Sequence, residues 1–262
     1  MSNRRRFIFL SSAAASLPLA STLLTQTSLA HAAIPFSEAE LVRQMTAKLT
    51  LELSDATTAS TEVGYLNDLF FNWEAASIAA SQADSILVFG FGGRSSGSGA
   101  STQVASGPVN AVIAHAAFQL YQLKPVTIYA QAEVASVLMA SYGLDGSKVK
   151  SVQAATVSAT GAISFATLEK VVSSAVTAAG SAAALGKVAV VSHRDLSKRA
   201  VQVATTAGLS AAIVKEVTLP TDFDVLGLPA ANRRRDLFLL NEIVNKFAAL
   251  RANLITQAYP NG

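Results

Sequence analysis

From Ala83 onward, short apolar runs alternate with stretches of helical period, an order that commits a chain to βαβ units and a parallel sheet. The runs are Ser85–Phe89, Val126–Tyr129, Lys148–Val152, Lys187–Val191 and Ala211–Val217, and Lys187–Val191 reads most clearly as a buried strand. Between them, helices are expected with Val109, Val112, Ile113, Ala116, Leu120 and Leu123 on one face, over Glu133–Tyr142 with Gly143 as its stop, over Ala166–Ala179, and after Val191 through Leu196, Ala200, Val203 and Ala207. An amphipathic helix over Arg234–Ile255 closes the chain, with Leu237, Leu240, Val244, Phe247, Leu250 and Leu254 as its expected buried face. Two helices precede the sheet, one capped at Ser37 and running to Leu53, the other over Tyr65–Gln82. The expected fold is a doubly wound, mostly parallel α/β sheet, Rossmann-like and three-layered, with an N-terminal helical cap. The expected divisions are a signal segment at 1–32, a helical extension at 33–82 and the α/β domain at 83–262.

Arg4, Arg5 and Arg6 stand before the moderately apolar stretch Phe7–Leu24, and Ala30-His31-Ala32 supplies the small residues of a cleavage site. The arginine pair followed by Phe and Ile resembles a twin-arginine export signature, so the expected location is periplasmic or secreted. Phe7–Ala33 is also long enough to cross a bilayer, which leaves an uncleaved N-terminal anchor as the alternative and the signal segment as the sole expected membrane contact. Of the 20 Lys and Arg, three lie in this segment, and the remaining 17 equal the 17 Asp and Glu. The pI near 9.2 therefore belongs to the signal, and nucleic acid is not an expected partner. No cysteine is present, which removes disulfides, thiolate nucleophiles and Cys-ligated metals.

In an open α/β sheet, ligands bind beyond the carboxyl ends of the strands, where helix N-termini point into the crevice. That rule selects Gly90, Gly92 and Gly93 after the first run, Gln131 and Glu133 after the second, and Ser192, His193, Arg194 and Asp195 after the fourth, with Arg199 a turn later. Gly90-Phe-Gly92-Gly93 lacks the third glycine and the immediate helix of a dinucleotide fingerprint, so a flexible Gly/Ser loop over residues 94–107 is expected to border the site. Ser192, His193 and Asp195 are too close in sequence to converge as a triad, and Asp195 reads more simply as the N-cap of its helix. Glu133 and His193 are the candidate acid/base groups. His31 leaves with the signal and His115 falls opposite its helix's apolar stripe, so no metal set is expected, and no cofactor is specified. Arg233-Arg234-Arg235 reads as a solvated surface.

Three segments carry a family resemblance: "ADSILVFGFGG", "AAFQLYQLKPVTIYAQAEVASVLMASYGL" and "VAVVSHRDLSKRAVQVATTAGL". From Ala83 to Ile255 they resemble the YdcF/SanA/ElyC-like α/β domains of bacterial cell envelopes, linked to cell-wall and surface-glycan upkeep. The resemblance matches Glu133, Arg199 and, more loosely, Ser192 to family polar positions. Leu196 stands where the family carries a His, and no counterpart of its Arg appears in "NAVIAHAAFQLY". Two functions follow as expectations. One is an exported envelope protein that binds, or transforms, a phosphorylated or nucleotide-like small molecule held by the Gly90–Gly93 turn, Gln131, Glu133, Ser192, His193 and Arg199. The other is a catalytically degenerate envelope binding or scaffolding protein.

Overall fold

The structure, a computed structural model, describes residues 37–260. The arginine-led segment, its cleavage site and His31 lie outside the described residues. Helix α1 (Glu38–Leu53) starts where the Ser37 hydroxyl accepts from the Glu40 amide. Helix α2 (Ala56–Phe71) starts where the Asp55 carboxylate accepts from the amides of Thr57 and Thr58. The helix expected over Tyr65–Gln82 is thereby displaced. Asp55 nucleates it earlier, within an Ala/Thr/Ser stretch that carries no apolar period. Beyond Phe71 the backbone runs extended into strand β1 (Ser77–Ile78) and a short 3-10 turn over Ala80–Gln82.

The α/β portion continues with β2 (Ser85–Val88), β3 (Arg94–Ser96), β4 (Gln103–Ala105), α3 (Gly107–Leu123), β5 (Ile128–Ala130), α4 (Ala132–Tyr142) and β6 (Val149–Ser151). Then come β7 (Thr156–Val157), β8 (Ile163–Ser164), α5 (Leu168–Ala179), α6 (Ala182–Leu185), β9 (Lys187–Val191), α7 (Arg194–Thr206), β10 (Ser210–Val214) and α8 (Arg235–Ala258). Six strands form one parallel sheet in the order β1-β10-β9-β2-β5-β6. This is the expected three-layer α/β fold, with crossovers that carry α3 and α4 against each other and α5 against α7. β1 joins the sheet from within the stretch read as a helical extension, by pairing Ser77 with Ile213 and Ile78 with Val214. The α/β body therefore begins before Ala83.

Central strands β2 and β9 lie side by side, with Ile86 against Ala189 and Leu87 against Val190. Every residue of β2 is buried, as are Val188 through Val191, and each large aliphatic side chain so placed contributes about 1.5–3 kcal/mol through removal from water. The Gly/Ser stretch expected as a flexible loop folds instead into the antiparallel hairpin β3–β4, and β7–β8 forms a second hairpin beyond β6.

Helix α8 departs most from expectation. Of its residues, Phe238, Glu242 and Lys246 are buried, whereas Leu237, Leu240, Val244 and Phe247 are exposed. The helix lies on its polar face because that face has partners waiting on α7 and just after α2: Arg199 for Glu242, and the Trp73 ring, 3.3 Å beneath the Lys246 ammonium. No helix among the described residues is long and apolar enough to cross a membrane.

Candidate functional site at the carboxyl edge of the sheet

The chain leaves β2 toward β5 and leaves β9 toward β10, so the strand order reverses between these two neighbours and the crevice of a doubly wound sheet belongs beyond their carboxyl ends. The Gly90–Gly93 turn follows β2, Gln131 and Glu133 follow β5, and Ser192 and His193 follow β9. All seven thus stand on one edge, and their contacts show what each does there.

The Gly90 amide donates to the Gln131 side-chain carbonyl at 3.0 Å, and the Phe91 amide donates to Asn110 Oδ1 at 2.7 Å. Asn110 Nδ2 donates in turn to the carbonyls of Gly92 and Ser106, both at 2.7 Å. Asn110 is a clamp that sequence reasoning missed. Its signal was a lone amide within the apolar stripe of α3. Gly92 sits at φ +75°, and a Cβ there would lie 1.8 Å from the Leu228 carbonyl oxygen. The Gly93 amide donates to that oxygen at 3.0 Å, while the Leu228 amide donates back to the Gly93 carbonyl at 2.7 Å. Gly92 and Gly93 admit the close approach of the chain's own backbone, and the amides of Gly90 and Gly93 are engaged within the protein.

His193 is wholly buried. Its Nδ1 accepts from the Asp195 amide at 3.2 Å, capping α7, and its Nε2 donates to the Asp222 carbonyl at 3.1 Å. An accepting Nδ1 requires the proton on Nε2, so the ring is the neutral Nε2–H tautomer. Burial pushes its pKa below the ordinary value, against the pull of the Asp195 charge. The ring stacks on Phe91 with centroids 4.1 Å apart, and Phe223 meets it edge-on at 4.7 Å. Phe238 of α8 packs on Phe91 at 4.8 Å. Four rings from four segments thus fill the crevice between β2 and β9.

His193 replaces Asp195 as the helix cap, a correction with a clear cause. Asp195 is drawn away by Arg235, whose Nε donates to Oδ2 at 2.8 Å. Burial works to raise the Asp195 pKa, but the hydrogen bond and charge of Arg235 outweigh it and hold the carboxyl below its usual range. Arg235 is therefore tied in part to the body of the fold, whereas Arg234 pairs with Asp236 on the exposed surface. Ser192 is buried, and its hydroxyl donates to the His193 carbonyl at 3.1 Å.

Arg199 does not join this edge. Its Nε donates to Glu242 Oε1 at 2.6 Å, so the guanidinium faces α8. Glu133 is 7% exposed; its Oε1 accepts from the Ala155 amide at 2.7 Å, and Oε2 is buried without a partner. Among the candidate side chains, Glu133 is the one with a buried polar atom left without a partner. A shallow cleft of about 240 Å³ lies further out, between the two hairpins and the Leu228-Pro229 segment, lined by Ser95, Thr102, Ile163 and Phe165. Among the described residues no group of three His, Asp or Glu side chains could hold a metal ion.

Compared with known proteins, the chain matches no family model, no curated protein and no solved structure. The fold and the edge define a class: a three-layer α/β protein with a parallel, doubly wound sheet whose switch-point crevice is occupied by its own aromatic side chains.

Proposed function

We propose that this is a non-catalytic binding or scaffolding protein of the bacterial cell envelope, resembling the YdcF/SanA/ElyC-like domains in architecture but degenerate in their chemistry. The observation that carries the reading is the filled crevice. Acid/base work needs a titrating group within hydrogen-bond reach of a substrate; both nitrogens of His193 are spent on backbone groups among three phenylalanines, and the other candidate, Glu133, is buried with one oxygen held by the Ala155 amide. Leu196, buried on α7, offers no substitute. Anion capture needs free donors, and the amides of Gly90 and Gly93 and the Nε of Arg199 are engaged internally. Residence in the envelope is supported by the arginine-led N-terminal segment and its Ala-x-Ala sequence.

A second reading, a phosphorylated or nucleotide-like small molecule bound at the same edge, is favoured by Glu133 Oε2, a buried acceptor without a donor that a ligand hydroxyl or amine could satisfy. One experiment separates the two. Protein recovered from cells expressing the full chain is melted in the presence of nucleotides, sugar phosphates and polyprenyl phosphates. The scaffolding reading expects an unchanged melting temperature throughout. A rise of roughly 5–10 °C with any of them, as ligand at about 100 times its Kd produces, would establish the small-molecule reading instead.

A further inference from the structure

Independently of what the crevice does, the outer face of α8 calls for a partner. Surface helices keep charge outside and aliphatic residues inside. Here Glu242 and Lys246 face inward, while Leu240 and Val244 are each 65% exposed, with Leu237, Phe247 and Ile255 also open to solvent. Phe70 and Phe71 of α2 extend this patch, and the Phe70 ring meets that of Phe247 edge-on at 6.1 Å. Between Asp236 and Arg251 the exposed face carries no charged residue. A contiguous apolar surface on two helices marks an interaction site.

We infer that this face pairs with the same face of a second copy of the chain, α8 against α8, antiparallel about a two-fold axis at Val244. Leu237, Leu240, Val244 and Phe247 follow the three-four spacing with which one helix packs along another. The face is also complementary to itself when reversed. Across the Val244 pivot, bulky Leu240 is mirrored by exposed Ala248, and Phe247 by the exposed amide side chain of Asn241. With Val244 opposite Val244, Leu240 of one copy lies over Ala248 of the other, and Arg251 reaches the level of Leu237, beside Asp236. Leu240 therefore meets Ala248 twice, and Arg251 twice comes beside Asp236, the carboxylate that Arg234 also holds, each contact being repeated as in an isologous pair. A bilayer surface would demand a basic rim along the helix, and Arg251 is the only cation on this face between Asp236 and Ile255. The stretch Leu237–Ile255 is about 27 Å long, so together with Phe70 and Phe71 the contact falls at the small end of stable interfaces and should dissociate in the micromolar range.

The test uses sedimentation of protein recovered from cells expressing the full chain, at about 1–200 μM, the range set by that interface size. The wild type should pass from monomer to dimer across it, and Val244→Glu should stay monomeric with an unchanged circular dichroism spectrum and a cooperative melt. Because the chain has no cysteine, a single Val244→Cys should cross-link two copies under mild oxidation, and Leu237→Cys alone should not, since its partner level is Arg251. A wild type that remains monomeric overturns the inference. So does a dimer that survives Val244→Glu or in which Val244→Cys fails to cross-link. A monomer that instead sediments with anionic vesicles, and loses that binding in Val244→Glu, assigns the face to lipid and overturns it equally.

Discussion

His193 is at once a helix cap, a hydrogen-bond bridge to the segment after β10 and one ring of an aromatic cluster. His193→Ala removes all three and should destabilise the fold by about 3 kcal/mol, or roughly 6–12 °C in melting temperature. The pH dependence follows from the depressed pKa. Below the ordinary 6.5, the unfolded chain takes up a proton that the folded ring resists, so stability is complete above that pH and is lost as the pH falls toward the folded value. The slope reaches at most about 1.4 kcal/mol per pH unit. Melting curves from pH 7.5 to 5 should descend in the wild type and descend less in His193→Phe; equal slopes in the two would show that the ring titrates freely. The residue was legible in the sequence as a polar group at a strand end, and its edge followed from the alternating pattern. Its role was not legible, because Asp222, Phe223 and Phe238 come to it from later in the chain.

At the scale of elements, α7 and α8 are locked by Arg199 and Glu242, the latter wholly buried with one oxygen on the guanidinium and the other unpartnered. Replacing one member strands the other charge in a poorly solvated place. Glu242→Leu should therefore cost about 3–5 kcal/mol, while the double change Arg199→Leu/Glu242→Leu should recover most of that loss. Urea denaturation of the four proteins in the cycle checks this, and additive losses would mean the pair is not coupled. The same contact explains why α8 was misread. Periodicity reveals that a helix has an apolar face, but not which way that face turns. Here the inner surface offered to α8 contains Arg199, Lys198, Asp68 and Trp73, and charge pairing there oriented the helix against its aliphatic stripe. β1 was missed for a related reason: two residues carry no period, and their strand character exists only beside β10. By contrast, α4 ended at Gly143 and β9 spanned Lys187–Val191 as the sequence predicts, since a left-handed glycine and an uninterrupted apolar run act within a few residues of themselves.

Across the whole molecule, Phe238 ties the C-terminal helix to the centre of the sheet, and the Leu228 segment it follows covers the Gly90–Gly93 turn. Phe238→Ala should lower stability by about 3–5 kcal/mol and loosen that cover, so that amide exchange at Gly93 accelerates more than exchange in β9. Uniform acceleration of both would mean that the cover does not open on its own. Five of the six strands of the parallel sheet, the helices between them and the edge where Gly90, Gln131, Glu133, Ser192 and His193 stand were determined by the sequence itself, because apolar period and glycine stops are local properties. Whether that edge stays open, where Arg199 points and which face α8 presents to solvent were decided only in the tertiary structure. Each depends on groups brought together from distant parts of the chain, where packing and charge pairing choose among several arrangements that local pattern leaves equally acceptable.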